Sequence, residues 1–324
     1  MNILVLLAVN EVQRKTLEAS APEDSNFIYV LPKDLDKKTI AEADIIIGNP
    51  PLKLSRYARR VRWVRLNSSG ADEYIGNGML PEGCILTCSS GAFDVALSEH
   101  LLAMLFSLTN NLPLYARNQS GDKGWKNLKQ SKTVSGSTAL IIGLGNVGQQ
   151  FARSLKAIGT YNIGVRRVDS SCPDYMDEVH LFDELDSLIG RADIIALCLP
   201  ATPQTYHILD ERRLKEVKDD AVILNIGRGN CIDCTALKNE LLDGRFTGVG
   251  LDVTEPEPLD PSDDLWDMPR TIITPHVAGK SHASLTLVTK VQIAADNLKA
   301  YFNGQPLRNE VDFSTGYRKA ESKR

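Results

Sequence analysis

TALIIGLGNVGQQFARSLKAIG, residues 138–159, joins two kinds of apolar pattern through a glycine-rich turn. Thr138–Ile142 is a run of strand length, whereas Phe151, Leu155 and Ile158 recur at the spacing of one helix face. Between them Gly143, Gly145 and Gly148 form G-x-G-x-x-G. Alone this motif is weak. Set between a strand and a helix it is specific, because the glycines permit a tight turn, close approach of a pyrophosphate and close helix–strand packing. Main-chain N–H groups at the helix start, near Asn146 and Val147, then face the phosphates along a favourable dipole. The alternative is a glycine turn in an α/β domain that binds nothing.

Outward from this unit, short apolar runs recur in both directions. Before it stand ILVLLAV (3–9), FIYVL (27–31), DIIIG (44–48) and WVRL (63–66). After it stand YNIGV (161–165), DIIALCL (193–199), AVILNI (221–226), GVGLD (248–252) and TIITP (271–275). Helical spacing fills most of the gaps, and strands alternating with helices imply βαβ units and parallel sheets. The fold class is therefore α/β, with two doubly wound parallel-sheet, Rossmann-like domains. Residues 95–118 break the alternation: Leu97, Leu101, Leu105, Leu108 and Leu112 fit one long helix, with Pro113 as a kink or break. This helix is the expected crossing into a second domain, and an apolar helix at roughly 283–302 carries the chain back. The expected division is a substrate-binding domain of 1–95 plus 290–324 and, inserted in it, a dinucleotide-binding domain of 96–289.

Composition narrows the function classes. The chain has 324 residues, 43% hydrophobic and 24% charged, enough for two cores. Lys+Arg number 37 against 41 Asp+Glu, a net charge of −4, and no long basic run precedes the tail, which argues against a nucleic-acid partner. The run Ile3–Val9 lacks a basic flank and is too short to span a bilayer, so it reads as a buried strand and gives no membrane role. Six scattered cysteines in a chain of this size fit reduced thiols in the cytoplasm. Cys231 and Cys234 form one CxxC without a second pair, so no metal site is expected. The last residues, GYRKAESKR, read as a frayed tail.

YNIGVRRVDS, residues 161–170, ends its apolar run at Val165 and continues into Arg166 and Arg167. The residue that reads the adenosine ribose belongs about 20 positions beyond the glycine turn. A carboxylate there bonds the 2′-hydroxyl of NAD and repels the 2′-phosphate of NADP. Two guanidinium groups do the reverse, pairing with phosphate oxygens and stacking on adenine. One charge-assisted hydrogen bond is worth about 1.5–3 kcal/mol, or about ten- to a hundredfold in affinity. NADP, used as NADPH, is the favoured cofactor. NAD remains the alternative, with Asp169 as its reader and the arginines as solvated side chains.

Three later segments carry chemistry after strands: LNIGRGNCID with Arg228, LDVTEPEPLD with Asp252, Glu255 and Glu257, and TPHVAGK with His276. In an open parallel sheet, ligands sit beyond the carboxyl ends of the strands, so these residues are placed to converge on the cofactor. The other histidines, His100, His180, His207 and His282, lack such a setting, and His100 reads as a packed or interface residue of the long helix.

The order GLGNVG, NIGRG, DVTEPEPL, TPHVAG resembles the D-isomer-specific 2-hydroxyacid dehydrogenases over nearly the whole chain. LNSSGADEY, AFDVALSEHLLAMLF and LCLPATPQT are similar to that family as well. The resemblance implies a catalytic set of Arg228, Glu257 and His276, with Glu255 as a rival to Glu257. Arg228 would grip the substrate carboxylate and carbonyl. His276 would give a proton to the developing alkoxide, and Glu257 would favour the charged imidazole. The reaction implied is reduction of a small 2-oxo acid to the D-2-hydroxy acid. Ser68, Ser69 and Gly70 are substrate contacts by the same resemblance, as a main-chain anion nest, or else an ordinary turn. Phe93 lines the side-chain pocket or is plain core. Leu199, Pro200 and Thr205 belong to the adenosine side, and Ile226 and Asp252 to the nicotinamide carboxamide, unless Asp252 is a structural cap. A homodimer is a family expectation. Arg166 departs from the acid of NAD-using members. The formate branch is disfavoured, since it carries a glutamine where Glu257 stands. A dinucleotide-sensing binding protein is the rival of another class.

Overall fold

The computed structural model describes residues 1–75, 78–121, 123–125, 127–128, 131–168, 171–279 and 283–319. Asp169 and His282 lie outside them. The chain divides into two compact units, Met1–Phe93 with His282–Arg324, and Asp94–Ser281. Among the described residues the strands are β1 (Asn2–Val5), β2 (Asn26–Tyr29), β3 (Ile45–Ile47), β4 (Trp63–Arg65), β5 (Ile85–Thr87), β6 (Thr138–Ile142), β7 (Tyr161–Arg166), β8 (Glu178–Leu181), β9 (Ile194–Leu197), β10 (Val222–Asn225), β11 (Gly248–Leu251) and β12 (Thr271–Ile273). The helices are α1 (Glu11–Glu18), α2 (Lys37–Ala41), α3 (Leu52–Ser55), α4 (Asp94–Thr109), α5 (Leu112–Ser120), α6 (Asn146–Ile158), α7 (Leu185–Ile189), α8 (Glu211–Glu216), α9 (Cys234–Leu242) and α10 (Ala283–Phe302). None is long and apolar enough to cross a membrane.

The first unit holds a five-stranded sheet in the order β2-β1-β3-β4-β5, the second a seven-stranded sheet in the order β12-β11-β10-β9-β6-β7-β8. Every pairing is parallel. Strands covered by helices on both faces are mostly apolar along their length, and successive residues go to opposite cores. In the second unit Leu140, Ile142, Ile195, Leu197 and Ile223 enter one core, while Ala139, Ile141, Ile194, Ala196 and Leu224 enter the other. In the first, Leu4 and Ile46 face one core, and Ile3, Val5, Ile45 and Ile47 face the other, which α10 completes with Val291, Ala294, Ala295 and Leu298.

The helix expected over 95–118 is two helices. The chain leaves α4 at Thr109, and Asn111 takes a left-handed conformation, φ 57°, as the N-cap of α5. Pro113 is the cause: it lacks an N–H and its ring collides with the carbonyl of the preceding turn, so it is accommodated in the first turn of a new helix. Helix α10 runs unbroken through residue 289, so the whole of it belongs to the first unit, and the division falls before it.

Candidate active site

Because the seven strands of the second unit are parallel, the loops leaving their C-terminal ends share one edge of the sheet. Beside the central strand β9, β6 delivers the glycine turn. Gly143 has φ +103°, a conformation side chains avoid, and a Cβ there would stand 2.6 Å from the Cys198 carbonyl oxygen. A Cβ on Gly148 would stand 2.1 Å from the Gly143 oxygen, so α6 packs directly on the turn. Gly145 is the N-cap of α6 and has open space beside its Cα. The first turn of α6, Asn146 to Gly148, therefore offers main-chain donors where a pyrophosphate can approach. These residues fit a dinucleotide.

Next to β6, β7 ends in Arg166, and the main-chain N–H of Gly143 donates to the Val165 oxygen at 2.9 Å. Arg166, half-buried, and Arg167, exposed, thus leave the sheet beside the glycine turn. On the other flank, Leu199 follows β9. Its side chain would touch a Cβ on Gly143, and its backbone would stand 2.5 Å from a Cβ on Gly227, so it fills the space between the two turns. Thr205 is buried, and its hydroxyl donates to the Pro200 oxygen at 2.7 Å and accepts from the Thr202 N–H at 2.9 Å. It holds the loop in shape. Ile226 is buried at the end of β10.

The chemistry-bearing residues come from the three strands on that flank. Arg228 follows β10, and its carbonyl accepts from Asn225 Nδ2 at 2.9 Å while its Nη1 donates to the Gly227 oxygen at 2.8 Å. A Cβ on Gly229 would lie 1.9 Å from the Thr254 oxygen, so the arginine turn presses against the segment that leads into Glu257. His276 follows β12 with φ 51°, unusual for a residue other than glycine. Its Nδ1 lies 2.5 Å from Glu257 Oε1. A carboxylate only accepts, so Nδ1 carries the proton of this bond and Nε2 is the ring atom left for a substrate. The two side chains remain 46% and 42% exposed, within reach of a ligand. The rival acid Glu255 bonds a different histidine, His207, at 3.0 Å.

Asp252 is 2% exposed, and its carboxylate organises the histidine turn. Oδ1 accepts from Thr274 Oγ1 at 2.6 Å and from the Val277 N–H at 2.9 Å, and Oδ2 accepts from the Ala278 N–H at 3.2 Å. The Asp252 carbonyl accepts from the His276 N–H at 2.8 Å. His100, from α4, places Nε2 3.0 Å from Thr274 Oγ1 and so extends this network. Sequence reading passes over Thr274 and treats His100 as packing. A usable signal is that His100 lies one turn from Met104, whose side chain packs against β11 at Gly250.

In the first unit, Ser68–Gly70 follow β4. Ser68 Oγ accepts from Asn49 Nδ2 at 3.1 Å and donates to the Gly70 oxygen at 2.7 Å, which fixes the loop. Phe93 is half-buried, just before α4. The Cys231 and Cys234 thiols are pushed up by burial, the former to about 11, and stay protonated near neutral pH.

Residues 102–278 match the family profile described as D-isomer specific 2-hydroxyacid dehydrogenase, NAD binding domain. The chain belongs to the D-isomer-specific 2-hydroxyacid dehydrogenase family. As a member it is an oxidoreductase with a nicotinamide-dinucleotide domain, and the glycine turn described above lies within the matched residues. A glyoxylate/hydroxypyruvate reductase of Arabidopsis thaliana is 29% identical over 279 residues, 84% of this chain and 83% of that one. Among solved structures, a D-isomer specific 2-hydroxyacid dehydrogenase family protein of Aeromonas salmonicida superposes with a TM-score of 0.84 at 30% identity, covering 96% of this chain and 99% of that one. An NADPH-dependent glyoxylate/hydroxypyruvate reductase of Sinorhizobium meliloti, solved with NADP and sulfate, gives 0.81 at 25% identity, covering 98% and 99%.

Proposed function

We propose that this dehydrogenase reduces a small 2-oxo acid to the D-2-hydroxy acid and prefers NADPH over NADH. The observation that carries the reading is the Glu257–His276 pair, whose carboxylate holds Nδ1 at 2.5 Å and leaves Nε2 as the ring atom that exchanges a proton with the substrate, bearing it when the ring is an imidazolium. When bound along the glycine turn, with Asn146, Val147 and Gly148 on the phosphates and Arg166 and Arg167 on the 2′-phosphate, the reduced nicotinamide supplies a hydride. Leu199, Pro200 and Thr205 would flank the adenosine, and Ile226 and Asp252 the carboxamide. Arg228 grips the substrate carboxylate and the adjacent carbonyl oxygen with a planar fork of donors, which orients the ketone and polarises it. His276 Nε2 gives its proton to the oxygen as it becomes an alkoxide. Glu257 keeps the ring in the orientation and tautomer this transfer requires. In the oxidation direction the neutral ring takes the proton back. Within the first unit, the main-chain donors of the Ser68, Ser69 and Gly70 turn are suited to a carboxylate, and Phe93 to an apolar side chain.

The test is the loss of NADPH or NADH absorbance with glyoxylate, hydroxypyruvate, pyruvate and branched or aromatic 2-oxo acids. Reduction is expected, with NADPH favoured at least about tenfold, the lower bound for one charge-assisted bond. Failure of every 2-oxo acid with both cofactors would overturn the reading. Equal or better turnover with NADH would overturn the role of the arginines alone.

A further inference from the structure

Helix α4 lies on β11 in a register that two glycines allow. Residues four apart on a helix rise about 6.0 Å, and residues two apart on a strand about 6.6 Å, so one helix face can follow one strand face contact by contact. A Cβ on Gly248 would stand 2.6 Å from Leu108 Cδ2, and one on Gly250 would stand 3.0 Å from Met104 Sδ. The next pair in the series is His100 and Asp252, where β11 has ended and the contact turns polar. His100 Nε2 lies 3.0 Å from Thr274 Oγ1 and 3.9 Å from Asp252 Oδ1.

The direction of this hydrogen-bond chain is fixed by its members. The Thr274 hydroxyl has one hydrogen, and it donates to the Asp252 carboxylate, 2.6 Å away, which can only accept. The hydroxyl oxygen is then the acceptor towards His100, so Nε2 of that ring carries a proton. Asp252 is buried, and its remaining bonds come from the Val277 and Ala278 N–H groups, directly after His276. A buried carboxylate depends on its donors, and the ring of His100 steadies the one side-chain donor described above. Leu101, Met104, Leu105 and Leu108 anchor α4 in the core and so set the place of that ring.

We infer that His100 is a positioning residue of the reaction: through Thr274 it orients the Asp252 carboxylate, and through that carboxylate it steadies the turn that presents His276. Every group in the chain belongs to the second unit. The inference rests on the reductase reading, in which His276 gives the proton.

His100→Leu removes the donor at similar volume. His100→Asn carries an amide that stops near the place of Nδ1, whereas His100→Gln sets an amide N–H near the place of Nε2. Two readouts are taken on the full chain: kcat and KM for glyoxylate with NADPH, and hydrogen exchange, by mass spectrometry, of the peptide that carries the His276, Val277 and Ala278 N–H groups. The Leu and Asn variants should each lose about tenfold in kcat, the upper end for one neutral hydrogen bond. Their KM should stay within about twofold, and exchange at the turn should quicken. His100→Gln should keep most of the activity and of the protection. In a Thr274→Val background His100→Leu should cost nothing further, because the hydroxyl it acts through is gone. Equal losses in the Gln, Asn and Leu variants, or the same loss with and without the Thr274 hydroxyl, overturn the proposal in favour of plain packing, as does wild-type kcat in the Leu and Asn variants. If no 2-oxo acid is reduced yet exchange at the turn still follows the identity of residue 100, the reductase reading fails and the hold on the turn stands. Reduction that proceeds with exchange unchanged in those variants removes His100 from the site and leaves the reductase reading in place.

Discussion

Asp252→Asn separates the two roles open to this buried acid. In the wild type its carboxylate accepts from Thr274 Oγ1, the Val277 N–H and the Ala278 N–H, and the last two flank the turn that holds His276 at φ 51°. An amide can keep its oxygen where Oδ1 stands, preserving the contacts at 2.6 and 2.9 Å. Its NH2 then replaces Oδ2 and points a donor at the Ala278 N–H, 3.2 Å away, which keeps the longer contact to Oδ1 at 3.3 Å. The remaining bonds also lose their charge. A charge-assisted bond is worth about 1.5–3 kcal/mol and a neutral one about 0.5–1.5. The turn should thus lose about 1–2 kcal/mol of hold for one weakened bond. Loosening shifts His276 against its substrate, and kcat/KM should fall about ten- to a hundredfold. The assay pairs steady-state reduction of glyoxylate with fluorescence titration of NADPH. If Asp252 only positions the histidine, kcat/KM falls while the cofactor dissociation constant stays within about twofold, less than 0.5 kcal/mol. If it also meets the carboxamide, NADPH binding weakens in parallel. Wild-type kcat/KM would refute the claim that this carboxylate organises the histidine turn.

Gly229→Ala should cost about a hundredfold in kcat/KM and lower the melting temperature, because its Cβ would lie 1.9 Å from the Thr254 oxygen, a backbone atom, and must part the Arg228 turn from the Glu257 segment; unchanged kinetics in a folded variant would mean the two turns are not coupled. Arg166→Asp should lower the NADPH preference about ten- to a hundredfold and raise NADH turnover, measured as the ratio of the two kcat/KM values. Glu178, bonded by Arg191, His180 and Tyr161, has its carboxyl held down to about 2 from an ordinary 4.5. Its contribution to stability is complete above 4.5 and is lost as pH falls towards 2, so Glu178→Gln should flatten the fall of melting temperature across that interval.

Much of this architecture is legible in the sequence because parallel strands buried on both faces leave unbroken apolar runs. The strands those runs miss are β5 and β8, both at sheet edges. β8, EVHL, is half-exposed throughout and spends Glu178 and His180 on polar contacts, so no apolar signal marks it. β5 has three residues, too few for a pattern. The long apolar helix hides its break because leucine spacing continues past Asn111, while the hinge depends on the backbone of one asparagine and on Pro113. At the site, the motif order marks Arg228 and His276 by residue type. The sequence leaves two acids two residues apart, and only the course of the loop separates Glu257 on His276 from Glu255 on His207. Within the first unit, the Arg65 side chain donates to the main-chain oxygen of Lys290, 225 positions away, and no local pattern announces it.

The strand order of the larger sheet divides the labour of the site. β6 lies between β7 and β9, so the chain leaves the glycine turn on one side towards β7 and crosses back to β9 on the other. That reversal opens the crevice in which an α/β sheet takes its ligand. Here Leu199 after β9 lies against Gly143 and Gly227. In the proposed binding mode, groups after β7 read the adenosine half of a dinucleotide laid across that point, and groups after β10, β11 and β12 the nicotinamide half. Arg166 and the Arg228–Glu257–His276 set therefore belong to opposite flanks with β6 and β9 between them. Residues on flanks separated in this way are expected to contribute independently. On the proposed binding mode, an exchange of arginine for acid after β7 should then alter the choice between NADP and NAD without altering the reaction, so Arg166→Asp should change the cofactor ratio while leaving the order of preference among 2-oxo acids as it is.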